Sequence, residues 1–159
     1  MKKFNVFAVS ILGMASLLLS GCNRAGNADV EMVKKSYVRL NSTKTVGQAF
    51  DNYKYFKSRE WKPYTESGNH FVKFTAEVDI SNRLTPEYYD RMNKEGKADI
   101  IVKKVDMVFI FYIDRQNKKF NIIKCEYVYY RANGKKGYGP EELENVINPI
   151  YNNELLKIP

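Results

Sequence analysis

The sequence predicts an α+β domain, an antiparallel sheet of about four strands with helices packed mainly on one face. Three observations carry that reading. Val72, Phe74, Ala76, Val78 and Ile80 alternate with Lys73, Thr75, Glu77 and Asp79, the period-two pattern of a strand with one dry and one wet face. Val46, Ala49, Phe50, Tyr53 and Phe56 recur instead at helical spacing, behind Thr45 and Gln48 at capping-box separation. The third observation is composition. Twelve Tyr, nine Phe and one Trp suit pleated, half-buried surfaces, and a chain that is 44% hydrophobic can build a core. A length of 159 residues favours one domain over two.

The first segment does not belong to that domain. Lys2 and Lys3 precede an uncharged stretch over residues 4–21, which ends in small residues. A basic tip, an apolar run and a small-residue exit make a secretory signal. A membrane-spanning helix needs about 20 strongly apolar residues, and Gly13, Ser16, Ser20 and Gly21 weaken this one. The run closes on Leu19-Ser20-Gly21-Cys22, which resembles the lipobox of bacterial lipoproteins. The resemblance covers residues 1–22 and implies cleavage before Cys22, diacylglycerol on its sulfur and an acyl group on the new amino terminus. Two or three acyl chains hold a protein at a membrane durably, where one does not. Asn23 stands where an Asp would retain an enteric-type lipoprotein at the inner membrane. In a Gram-negative cell that favours the outer membrane, with the domain facing the periplasm. The expected organisation is a signal peptide over 1–21, a lipidated tether over 22–29 and a single globular domain over 30–159.

The remaining elements follow in order. Val30, Val33, Tyr37 and Leu40 predict a short amphipathic helix, and the capped segment a three-turn helix over 45–56. Residues 61–66 and 70–80 read as a hairpin around Ser67-Gly68-Asn69, with Pro63 placing the first strand at an edge. Thr85, Pro86 and Gly96 bracket a helix over 86–94. Residues 98–114 predict a long strand or a bent pair, 115–119 a turn and 120–131 the returning strand. Residues 108–113 are apolar on both sides, so this strand is central. A glycine-rich basic loop with an Asn133-Gly134 turn signal leads to a terminal helix. Pro140, Glu141 and Glu142 open that helix, and Leu143, Val146, Ile147 and Ile150 form its apolar face. Pro149 bends or ends it.

Charge and cysteine usage narrow the function classes. The net charge is +8, from 26 basic and 18 acidic side chains. Removing 1–21 takes two of the 26 basic groups and no acid, leaving 24 against 18, or +6. Such a balance suits anionic partners. Nucleic acid is excluded by the extracytoplasmic address that the lipobox implies. With Cys22 given to lipid, Cys125 has no disulfide partner, and its apolar strand setting makes it a small buried hydrophobe.

Catalytic constellations are not in evidence. His70 is the one histidine, and no Gly-x-Ser-x-Gly, HExxH, zinc-spaced cluster or Walker loop occurs. The run GKKGYG over 134–139 lacks the Gly-Lys-Ser/Thr ending of a phosphate cradle and reads as a hairpin or strand-to-helix loop. Glu77 and Asp79 stand about 7 Å apart on a strand face, inside glycosidase reach, yet Lys73 beside them marks an ordinary solvated face. No catalytic residue, cofactor or metal is expected.

What remains is a surface. Tyr130, Arg131, Lys135, Lys136 and Tyr138 gather cations and aromatics around one loop, a mixture that suits an envelope protein, an anionic headgroup or a glycan. The expectation is a non-enzymatic binding or structural lipoprotein of the cell envelope. The alternative is an inhibitor of, or enzyme acting on, cell-wall material.

Overall fold

A computed structural model describes residues 21–158, with residues 21–25 described through their backbone alone. The residues of the expected signal peptide up to 20 lie outside the described residues. Helix α1 runs over Gly21–Lys35 and α2 over Val46–Asp51. Strand β1 (Phe56–Glu66) pairs with β2 (Asn69–Val78), and α3 (Pro86–Lys94) and a 3-10 turn at Ala98–Ile100 lead to β3 (Val102–Asp114). Then follow β4 (Lys119–Arg131), β5 (Lys136–Pro140) and α4 (Leu143–Asn152). The strands form one antiparallel sheet in the order β1-β2-β3-β4-β5. The α+β class and the one-sided helices are as expected, with five strands rather than four.

Alternation decides which side of the sheet is dry. Trp61, Phe74, Phe109 and Cys125 stand in one register row, and Val72 and Phe111 in the next. This inner face packs against Val33 of α1, Val46, Ala49 and Phe50 of α2, and Val146, Ile147, Ile150 and Tyr151 of α4. β3 is central, as its double-sided apolar run predicts, with Val105 to Phe109 all buried. Ser67 and Gly68 both take positive φ, 49° and 78°, the twist a two-residue hairpin loop requires. Among the described residues no helix is long and apolar enough to cross a membrane.

Several boundaries differ from expectation. β1 starts at Phe56 instead of 61, β2 ends at Val78 instead of 80, the strand expected from 98 starts at Val102 behind a 3-10 turn, and Pro140 closes β5 while the terminal helix starts at Leu143. Four further differences have clear physical reasons. The helix expected over 45–56 stops at Asp51, although its capping box forms in full, with Thr45 Oγ1 accepting from Gln48 N and Gln48 Oε1 from Thr45 N. Tyr53 and Phe56 remain core residues, but they reach the core from a turn and the start of β1. Their helical spacing is incidental, and Tyr and Phe suit a strand better. The helix expected over 30–40 ends at Lys35, where Ser36 Oγ turns back onto the Met32 carbonyl at 2.7 Å.

The third difference is β5, expected as loop. Gly137 and Gly139 lie beneath larger neighbours from β4. A Cβ on Gly137 would stand 3.3 Å from Arg131 Nη2, and one on Gly139 would stand 3.1 Å from Tyr129 Cε2. These glycines admit close side chains over an edge strand.

The fourth concerns residues 22–29, expected as a flexible tether. They are part of α1, and the later ones are fixed to the domain. Gly26 sits so close to Pro63 that a Cβ would come within 2.8 Å of its Cγ. Asp29 is buried and takes two bonds from Arg115, Nε to Oδ1 at 2.9 Å and Nη2 to Oδ2 at 2.6 Å. Small residues read as a linker, yet they are also what a closely packed helix end needs.

Cys125 behaves as its strand setting predicts. It is buried, its Sγ–H faces Met107 Sδ at 3.9 Å, and burial, reinforced by Glu141 and Glu126, pushes its thiol up to about 12. The native chain should therefore leave Cys125 unlabelled by a maleimide at neutral pH, and urea should expose it. The stability that comes from keeping the thiol neutral is complete below pH about 9 and is lost as pH rises towards 12. An alkaline unfolding series should show stability declining across that window.

Candidate binding face

The outer side of the sheet is where the expected surface residues meet. The same alternation that buries the inner rows places Glu77, Asp106, Val128 and Tyr138 in one outer row. Lys104, Tyr130 and Lys136 form the next. Val108 and Val128 are buried on this side but stand outside the main core cluster.

Tyr130 is the hub. Its hydroxyl donates to Asp106 Oδ2 at 2.9 Å. The Lys104 and Lys136 ammonium groups each stand 5.0 Å from its ring centre, within cation–π range. Lys104 also holds Asp106 Oδ1 at 3.1 Å and Glu77 Oε2 at 3.7 Å. Asp106 is buried at 5% exposure, so its charge needs these partners. The hydrogen bond from Lys104 to Asp106, helped by the fields of Asp106 and Glu77, raises the lysine above its usual range. Burial and then the Asp106 bond raise the Tyr130 hydroxyl, so it stays a donor at neutral pH. The Asp106 bond fixes the Tyr130 ring, and two lysine ammonium groups lie within cation–π range of it.

Of the five residues expected to form a surface, the structure joins Tyr130, Lys136 and Tyr138 on this outer face. Tyr138 is 65% exposed. Lys135 lies in the exposed hairpin turn, and Arg131 lies across the inner side of Gly137. The three cations thus surround the tip of the β4–β5 hairpin instead of lining one plane. Lys104, Asp106 and Glu77 were not legible as members of the site. The Val-Lys-Lys run at 102–104 shows in the sequence, but its place beside Tyr130 depends on strand register.

Nearer the other end of the outer face, Lys62 stands opposite Lys73, with Ile110 and Lys124 completing the row. Beyond it Tyr64 stacks on Phe71 at 5.0 Å, and Phe71 meets Tyr112 at 5.7 Å. This side of the sheet therefore carries two cation-and-aromatic bands, separated by Glu60, Thr75, Val108 and Glu126.

The remaining candidates have local partners. Glu77 is engaged by Lys104, whereas Asp79 lies past the end of β2 and accepts from Ser81 N at 3.0 Å and pairs with Lys57 at 3.2 Å. The Ser81 bond, above all, lowers its carboxyl below the usual range, so the two carboxylates do not form a shared acid–base pair. His70 Nδ1 stands 3.2 Å from Thr65 Oγ1. A small apolar cavity of about 190 Å³ opens between Leu84, Tyr88, Val105, Tyr129 and Ile158. Arg83 at its rim donates to the Ile158 carbonyl. Among the described residues no three His, Cys, Asp or Glu side chains lie together as a metal site.

No protein-family model matches the chain, and no curated protein and no solved structure matches it either.

Proposed function

We propose that the chain is a membrane-anchored lipoprotein of the bacterial cell envelope, with a non-enzymatic binding role. The outer sheet face and the β4–β5 hairpin tip are its partner surface. In a Gram-negative cell its place is the outer membrane, facing the periplasm. One observation carries the binding role: Tyr130 is clamped by Asp106 and flanked by Lys104 and Lys136, beside the exposed Tyr138. Rigid aromatic side chains flanked by cations bind with little loss of side-chain freedom, and their charge speeds encounter with anionic partners. The lipobox supports the anchor, since Cys22 would carry the acyl chains that hold the domain at the membrane.

The test compares the full chain with a Cys22→Ser variant in a bacterial host. The unaltered chain should float with membranes, release only in detergent and give a mature mass starting at an acylated Cys22. The variant should appear in the soluble fraction or remain uncleaved. A Lys135→Glu/Lys136→Glu double variant should keep the anchor and lose about tenfold in partner affinity, an effect that fades with salt. A chain that begins at an unmodified residue overturns the anchor. Unchanged partner capture by the double variant overturns the surface.

A further inference from the structure

Helix α1 determines which end of the domain a lipid at Cys22 would occupy. It is fixed at two points, where Gly26 packs on Pro63 and where Asp29 binds Arg115. Pro63 lies three residues before the end of β1, and Arg115 directly follows β3. Both belong to the end of the sheet that carries the β1–β2 and β3–β4 turns. Cys22 precedes Gly26 by four residues of the same helix, a rise of about 6 Å. A seven-residue flexible tether could span about 25 Å and would let either end of the domain touch the membrane. The helix removes that freedom.

The hairpin tip lies at the other end. β4 leaves the β3–β4 turn at Lys119 and reaches the tip at Arg131. Its 13 residues cover about 40 Å at strand rise. At physiological ionic strength charges are screened over about 8 Å, so tip cations at that height do not sense the headgroups below. Around the tip, Arg131 covers the inner side, Lys135 the turn and Lys136 the outer side, with Tyr138 beside them. The tip is braced on one side by the 3-10 turn, Ala132 N donating to the Ile101 carbonyl at 2.8 Å and Asn133 N to the Asp99 carbonyl at 2.9 Å. Its three cations suit a linear polyanion that drapes across it, and a tyrosine ring offers a sugar a flat apolar face.

We infer that the domain stands on its β1–β2 and β3–β4 turns, and that the β4–β5 tip, held about 40 Å from the anchoring membrane, binds a polyanionic wall glycan and not the headgroups of that membrane. The inference rests on acylation of Cys22, as proposed above.

Two single-cysteine labels test it. Gln116→Cys marks the β3–β4 turn and Ala132→Cys the tip, while buried Cys125 stays unlabelled. The lipidated chains are placed on vesicles of phosphatidylethanolamine and phosphatidylglycerol that carry a headgroup-attached quencher. The label at 116 should be quenched several-fold more than the label at 132. Heparin, as a soluble polyanionic glycan, should shift the emission at 132 and leave 116 unchanged. The shift should need about tenfold more heparin in the Lys135→Glu/Lys136→Glu background. Equal or inverted quenching overturns the orientation, and a tip that ignores heparin overturns the ligand class. A chain that fails to float with the vesicles and has an unmodified residue 22 removes the anchor itself, and the inference with it. That failure is read from flotation and mass, separately from quenching.

Discussion

Phe50→Ala is expected to remove about 3–5 kcal/mol of stability, close to the limit that a single core truncation reaches. Phe50 is fully buried, and its ring meets Phe109 at 4.9 Å, Phe74 at 5.0 Å and Trp61 at 6.0 Å, with Phe111 and Tyr151 just beyond. Truncation opens a cavity at the point where α2, α4 and two central inner rows converge. The six residues of α2 are too few to form a helix unaided, so α2 depends on this contact and on its Thr45–Gln48 cap. A domain of this size has about 5–15 kcal/mol in total, so the variant should lose a fifth or more of its margin. Urea unfolding should show a lower midpoint with an unchanged slope. Phe50→Leu, which refills most of the volume, should cost about 1 kcal/mol. A loss below about 1 kcal/mol for the alanine variant would mean that the aromatic cluster is not the centre of the core. Binding at the hairpin tip, which among the described residues shares no ring contact with Phe50, should be unaffected wherever the variant is folded.

The elements most legible from sequence are those whose local signals agree with their tertiary setting. Residues 72–78 alternate because one face of β2 is wet, and α3 begins at Pro86 behind its Thr85 cap, where Thr85 Oγ1 accepts from Tyr88 N. β5 escaped notice because three of its five residues are glycine or proline, which weaken a strand unless something large needs the room. That something is Tyr129 and Arg131, whose position depends on strand pairing. Gly26 escaped for the same reason, since its use becomes visible only once Pro63 is opposite it.

The site was half legible. Tyr130, Lys136 and Tyr138 share a face because a tight hairpin preserves side-to-side alternation, so proximity in sequence predicted proximity in space. Lys104 and Asp106 lie on another strand, and irregularities hide their side. The register of β3 against β4 shifts between Val102 and Lys104 and again between Ile110 and Phe111. At the second shift Ile123 is left over, 56% exposed. As a result Phe120 and Ile122 share the inner face with Cys125, Tyr127 and Tyr129. Counting by twos across a bulge assigns half the strand to the wrong side. A buried carboxylate such as Asp106 has no sequence signature of its own, because its partners come from other positions.

The Asp29–Arg115 pair gives an asymmetric test of the claim that α1 belongs to the domain. Arg115→Ala should cost about 2–3 kcal/mol, below the about 3–5 kcal/mol seen when a fully buried pair loses one partner. The discount reflects the exposure of the arginine side chain at 39%, whereas the Asp29 side chain is exposed at only 8%. Removing Arg115 leaves a buried carboxylate without its bidentate donor. Asp29→Ala should cost less, since a guanidinium exposed to that degree keeps part of its hydration. The double variant should recover part of the Arg115→Ala loss, because it removes the stranded charge along with its partner. Urea midpoints of the three variants order these effects directly, and amide exchange locates them. In Arg115→Ala, protection should fall first over residues 26–33, ahead of the sheet. If instead Asp29→Ala is the more damaging change, the carboxylate is not the stranded member of the pair. If none of the three alters protection in α1, that pair does not hold the helix to the sheet. On vesicles, Arg115→Ala should also narrow the difference in quenching between labels at 116 and 132. A helix freed from the β3–β4 turn no longer sets the angle at which the domain stands.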